Sequence, residues 1–170
     1  MSTRDYIKNK EGLQKVRQLV VAPKVVMLAT KLDKIPFAVC PMTLLQMDEQ
    51  GDLWFFMSKE SEHFKDITYD NRVQILYSDE IQNKYISIYG NATHMVDEKK
   101  MKELWNPIMS KWFDGKDDDC LALLNVNMEN AYYWDSDLNK PVSFFNLVDN
   151  KNNDENQDKN QKGFIDLQSY

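Results

Sequence analysis

Cysteine is scarce in this sequence: Cys40 and Cys120 are the two among 170 residues, and neither stands in a Cys-x-x-Cys pair. A disulfide framework is unsupported, and a reducing cytosol fits. Histidine is equally rare. His94 has no carboxylate or cysteine at ligand spacing, so no metal site is expected. Glycine and proline number five each, and no GxGxxG, P-loop or GxSxG pattern occurs. Basic charge is short as well. The formal net charge is -6 at pH 7, which repels phosphate backbones and anionic lipid, so neither nucleic acid nor membrane is an expected partner. No apolar run approaches the roughly 20 residues of a spanning helix. The opening MSTRDYIKNKEG has no apolar signal core, so the expected location is cytoplasmic. Asn91-Ala92-Thr93 fits a glycosylation acceptor but, without an export signal, reads as chance.

What is present is the pattern of one domain with short strands. Leu13, Val16 and Val20 recur at helical spacing, and Pro23 stops that helix. Val25 to Thr30 and residues 36–42 read as strands joined by a turn at Asp33 and Lys34. A turn at Glu49-Gln50-Gly51-Asp52 leads into Leu53-Trp54-Phe55-Phe56-Met57, apolar on both faces and hence a buried strand. A short helix with Phe64 and Ile67 follows, then a strand over residues 73–77. Tyr85-Ile86-Ser87-Ile88-Tyr89 alternates and runs past Gly90, where a bulge or sharp bend is expected. Asp97 is placed to cap a helix with Met101, Leu104, Trp105, Ile108, Met109 and Trp112 on one stripe, interrupted at Pro107. Asn106 is placed to cap a second, short helix. Residues 121–126 and 131–134 read as two final strands. The sum predicts a mainly β fold, a closed or partly closed barrel with flanking helices. Residues 149–162 are almost wholly Asn, Asp, Gln, Glu and Lys, a composition expected to stay disordered. Residues 163–170 regain apolar character, and whether they dock is open. The expected division is a domain over 1–148 and a polar tail over 149–170.

The stretch from Trp54 to Phe64 carries the most chemistry. A buried strand runs into a helix start with hydroxyls at Ser58 and Ser61, the setting of an anion site. The plainer alternative, Ser61 as a simple N-cap, is favoured by local pattern. His63 falls in the first turn, as a phosphate donor or as an ordinary surface histidine. Cys40 and Cys120 read best as small buried hydrophobes. The run Asp117-Asp118-Asp119 reads as a solvated turn. Trp54, Trp105, Trp112 and Trp134 with Tyr132 and Tyr133 suit core packing, a flat ring ligand or a dimer interface.

An ordered set of pieces resembles a known family. The pieces are Met27-Leu28-Ala29-Thr30, Pro41-Met42, Gly51-Asp52-Leu53-Trp54-Phe55-Phe56-Met57-Ser58, and Ser61 with Ile67. Tyr77-Ser78-Asp79, Tyr85-Ile86-Ser87-Ile88 with Gly90, and Glu103-Leu104-Trp105-Asn106-Pro107 follow. Lys111-Trp112-Phe113, Gly115, Asp118 and Tyr133-Trp134-Asp135 complete it. The chain is similar to the general stress protein branch of the pyridoxamine 5'-phosphate oxidase-like split barrels, which bind flavin mononucleotide (FMN).

That resemblance implies a six-stranded split β-barrel, a homodimer, and FMN held between two subunits. It implies that Cys40, Pro41, Met42, Phe56, Met57 and Ser58 line the flavin and ribityl chain. Ser61 and His63 would face the phosphate, Tyr85 the ring edge, and Trp112 would cover the ring. Two departures stand out. The family pattern has a basic residue where Cys40 stands and Lys where His63 stands, and each lost cation forfeits about 1.5–3 kcal/mol of phosphate bonding. Lys59 or Lys65 is the candidate replacement. The functional expectation is an FMN-binding protein, as an FMN-dependent oxidoreductase with no catalytic acid or base nameable. The alternative is a non-catalytic flavin carrier, a sensor, or a barrel that has lost its cofactor. Pyridoxamine 5'-phosphate oxidation is disfavoured, because the C-terminal region lacks an Arg/His-rich substrate segment.

Overall fold

Leu53, Trp54, Phe55, Phe56 and Met57 are all buried, because this strand has apolar neighbours on both faces. The structure, a computed structural model, describes residues 5–135 and 161–168. The elements in order are β1 (Asp5–Lys8), α1 (Asn9–Leu19), β2 (Lys24–Thr30), β3 (Ala38–Met47), β4 (Leu53–Ser58), α2 (Glu62–Tyr69) and β5 (Arg72–Asp79). Then come β6 (Lys84–Met95), α3 (Glu98–Leu104), a 3-10 helix (Pro107–Lys111), β7 (Leu121–Asp135) and β8 (Gln161–Asp166).

Six of the strands close on themselves. Their order is β7-β4-β3-β2-β5-β6, and β6 pairs back onto β7. All pairs within this ring are antiparallel. β8 adds antiparallel to β7, and β1 lies parallel to β8. The long β7 serves three partners. Leu121 to Val126 pair with β4, Asn130 to Asp135 pair with β8, and β6 runs beside both halves. Sequence patterning divides β7 into two strands. The polar stretch Asn127-Met128-Glu129-Asn130 in fact lies within one strand, where β7 exchanges β4 for β8.

Gly90 sits where the β6–β7 register slips, between Tyr89 and Gly90. A Cβ there would stand 2.3 Å from the Asn127 carbonyl oxygen, so the bulge expected at this glycine also permits close backbone approach. Inside the barrel, Leu28, Phe55, Ile75, Ile88, Leu124 and Tyr133 are almost completely buried. Outside it, Trp54, Phe56, Leu121 and Leu123 form a second apolar cluster with Met101 of α3 and Met109 of the 3-10 helix. Asp97 caps α3 by accepting from Lys100 N–H, and Asn106 caps the 3-10 helix by accepting from Ile108 N–H. The apolar stripe is narrower than the spacing predicts. Ile108 and Trp112 point outward, 51% and 65% exposed, because the chain tightens to 3-10 geometry after Pro107.

The expected polar tail falls outside the described residues up to 160. From Gln161 the chain is β8, with Ile165 fully buried and registered against Ala131. The apolar terminal segment is thus docked on the sheet, and it begins two residues inside the stretch expected to lack structure. β1 likewise has no periodic signal in the sequence, being short and paired with a distant strand.

Candidate functional site at the open seam between β3 and β4

One seam of the barrel is incomplete. β3 and β4 are registered only over Leu44, Gln46 and Met47 against Phe55, Trp54 and Leu53, with a bulge between Leu44 and Gln46. Below that point the two strands part. Cys40, Pro41 and Met42 remain paired with β2, and Phe56, Met57 and Ser58 remain paired with β7. Neither group has a ladder partner across the seam among the described pairings. Pro41 is consistent with this opening, since a residue without N–H is tolerated where a strand has a free edge. The seam therefore presents backbone donors and acceptors along two facing strands.

The helix α2 begins just beyond β4 and packs against β2 and β6. Ser61 is its N-cap and accepts from Phe64 N–H at 3.1 Å. Ser58 Oγ accepts from Glu60 N–H at 3.2 Å. Both hydroxyl hydrogens stay available to a ligand. The N-cap reading of Ser61 thus holds, and it does not remove the donor.

Beside α2 lies a polar cluster. Thr30, the last residue of β2, donates its hydroxyl to Asp66 Oδ2 at 3.0 Å. The Thr30 hydroxyl oxygen in turn lies 3.0 Å from His63 Nδ1. Thr30 has one hydroxyl hydrogen, already given to Asp66, so His63 donates from Nδ1 and keeps Nε2 as its second ring nitrogen. Lys31 reaches Asp66 Oδ1 at 2.9 Å. The hydrogen bond to Asp66 is the main cause holding the Lys31 ammonium above its ordinary pKa. Asp66 is 5% exposed, and its charge is matched by Lys31 and by the Thr30 hydroxyl. Burial, and then the Asp66 charge, push the Cys40 thiol up to about 11. Cys40 is accordingly a neutral, half-buried thiol packed against the core.

The structure brings Cys40, Pro41, Met42, Phe56, Met57, Ser58, Ser61 and His63 to the seam and its α2 end. It does so unevenly. Met57 points into the barrel core and Phe56 into the outer cluster, where it meets Trp105 edge-on at 6.0 Å. Their contribution to the seam is backbone. Tyr85 lies on β6, whose neighbours are β5 and β7, away from the seam. Trp112 stands exposed at the end of the 3-10 helix. Lys59 donates to the Asp119 carbonyl and Lys65 pairs with Glu62, so neither candidate replacement cation faces the cluster. Thr30, Lys31 and Asp66 were not foreseen. The spacing of His63 and Asp66, three apart on one helix face, is a signal for Asp66 alone.

A polar groove of about 670 Å³ lies elsewhere, bordered by Lys10, Asp52, Glu129 and Gln168. Its carboxylates are already engaged: Asp52 with Asn125 and Asn127, Glu129 with Asn91 and Gln168. It offers no converging free charge.

Residues 11–158 match the family described as pyridoxamine 5'-phosphate oxidase like. The chain belongs to the pyridoxamine 5'-phosphate oxidase-like family. Within it, the chain is 27% identical over 89 residues to general stress protein 26 of Bacillus subtilis, covering 51% of this chain. The match spans 64% of that relative's length. The fold of a general stress protein 26 from Jannaschia superposes with a TM-score of 0.67 at 19% identity, covering 92% of this chain and 95% of that one. The general stress FMN/FAD binding protein of Xanthomonas citri superposes at 0.63 with 29% identity, covering 75% and 90%. The six-stranded ring with its open β3–β4 seam is therefore the split barrel of this family. Among the described residues no helix is long and apolar enough to cross a membrane.

Proposed function

We propose that this chain binds FMN as a homodimer, with the open seam between β3 and β4 as its cleft. The parting of the two strands at Cys40–Met42 and Phe56–Ser58 carries this reading. A flavin needs backbone-type partners for its ring edge and ribityl hydroxyls, apolar surface for its faces, and donors for its phosphate. The seam has the first along both strands. Met42 and the neutral Cys40 give the second. Ser58, Ser61 and the start of α2 give the third, and His63 Nε2 adds a donor only as an imidazolium. Bound FMN would supply hydride- and electron-transfer chemistry, while the chain supplies position and electrostatics. The Xanthomonas citri protein, named for FMN/FAD binding, supports the assignment.

The homodimer rests on an outer sheet face. Val25 and Met27 of β2, Val39 of β3, Leu76 of β5, and Tyr132 and Trp134 of β7 are between 41 and 61% exposed. The pairs Val39–Ala29, Met27–Leu76, Leu76–Ser87 and Ser87–Tyr132 make them one band across five adjacent strands, β3, β2, β5, β6 and β7. A contiguous apolar band of this kind marks an association surface. A second copy would also bring Tyr85-type surface to a seam that one chain leaves open.

A titration of purified protein with FMN, followed by flavin absorbance and fluorescence, tests the cofactor. A shifted visible band and quenched emission are expected. An unchanged spectrum at about 1 mM FMN, the concentration scale of 4.1 kcal/mol of binding, refutes it. Light scattering tests the dimer, and a monomer mass at micromolar concentration refutes that part. The second reading, a flavin carrier or sensor that binds weakly, is favoured by the cations: Lys59 and Lys65 are engaged away from the site, and a carboxylate, Asp66, lies within it.

A further inference from the structure

Both edges of the open seam converge on Asp66. Thr30 pairs with Ala38, where the unpaired stretch of β3 begins, and Lys31 follows it into the turn. On the other edge, Ser58 ends β4, and α2 carries His63 and Asp66 back toward Thr30. Two donors meet one buried carboxylate here, an ammonium at 2.9 Å and a hydroxyl at 3.0 Å, and the His63 imidazole backs that hydroxyl at 3.0 Å. Ammonium, hydroxyl and imidazole are the donors that recognise a phosphate oxygen. Lys31 is 45% exposed, so its ammonium is reachable from solvent, whereas Asp66 is 5% exposed. Its backbone is left-handed, with φ of 54°, a conformation that glycine or asparagine usually occupies. A lysine holds that place, and the turn directs its side chain to the cluster.

We propose that Lys31 is the residue by which this site recognises the phosphate of its flavin, and that the Asp66 carboxylate competes with that phosphate for it. The proposal rests on the flavin reading above and names the residue that sets its phosphate affinity. Lys31 and Asp66 cancel, so a dianionic phosphate entering the seam meets no net positive charge there. Binding the phosphate requires Lys31 to turn from Asp66 to the ligand. The flavin ring and ribityl chain do not depend on that exchange.

The test compares FMN with riboflavin, which lacks the phosphate, on the parent, Lys31→Met, Asp66→Asn and the double variant, by fluorescence titration. Asp66→Asn keeps an acceptor for Thr30 while releasing Lys31. It should tighten FMN binding about tenfold and leave riboflavin within about twofold. Lys31→Met should weaken FMN about tenfold and spare riboflavin. The double variant should lose the gain of Asp66→Asn. Lys31→Met alters a partly exposed side chain, so the test stands even if Asp66→Asn folds poorly. Equal FMN-to-riboflavin ratios in the parent and Lys31→Met overturn the proposal while the flavin reading stands. If neither flavin binds the parent, the flavin reading fails and takes the proposal with it.

Discussion

Replacing Gly90 with alanine should destabilise the barrel by about 2 kcal/mol. The added methyl would stand 2.3 Å from the Asn127 carbonyl oxygen, 3.1 Å from its carbon and 3.2 Å from Met128 Cα. All three are backbone atoms of β7, so no side chain can rotate out of the way. β7 would have to recede by about an ångström, yet it is held by β6 on one side and by β4 and β8 on the other. Overpacking of this kind costs about 1–3 kcal/mol, and an immovable backbone places it at the upper end. Gly90 does not lie in the left-handed region, so alanine meets no dihedral penalty there. Alanine also restricts the unfolded chain, which returns about 0.4–1 kcal/mol. The difference is the stated loss. For a domain of this size it lowers the melting temperature by about 4–8 °C. Circular dichroism melts and urea unfolding at unchanged m-value are the assay. A Gly90→Ala protein as stable as its parent would show that the two strands do not approach as closely as described.

Ile165→Ala should cost about 2–5 kcal/mol, because this β8 side chain is fully buried in the main core, and a denaturant midpoint measures it. Cys40 should be alkylated by iodoacetamide at pH 8 about a hundredfold more slowly in the folded than in the unfolded protein, since its thiol is pushed up to about 11. Comparable rates would show that the thiol is not desolvated. Arg72 hydrogen bonds lower the Asp70 carboxyl to about 2. The stability it adds is present above the ordinary aspartate value and is lost as pH falls through about 2, so Asp70→Asn should flatten the acid end of the stability profile. Glu62→Arg with His63→Lys should tighten FMN at least about tenfold, or 1.4 kcal/mol, by calorimetry. No gain there would place the phosphate away from the start of α2.

Much of this fold was legible where the signal is local. Asp97 and Asn106 announce their helices because a cap is a contact three or fewer residues long. Gly90 marks its bulge because a glycine inside a strand is itself the signal, and the unbroken apolar run Leu53 to Met57 reads as a strand covered twice. The seam was half legible: Pro41 within a strand points to a free edge, but which neighbour is missing depends on the ring order. β1 and β8 were illegible because their partners lie far off in the sequence. The Lys31–Asp66 pair was missed because it joins a turn to a helix more than thirty positions on, a proximity no periodicity encodes. Likewise the sequence pointed to Lys59 and Lys65, near in number, whereas folding commits them to Asp119 and Glu62.

The pairing of β1 with β8 has a dynamic consequence. Among the described strands β1 has one neighbour, β8, and β8 in turn is anchored on β7. The openings of these strands are therefore nested. β1 can detach alone, but β8 cannot leave β7 without releasing β1 from the sheet. In hydrogen exchange, the amides of β1 can be no better protected than those of β8, and those of β8 no better than the closed ring. The two outer strands form a removable shutter, whose stability can be tuned at Ile165 while the six-stranded ring, and the open seam within it, stays as it is.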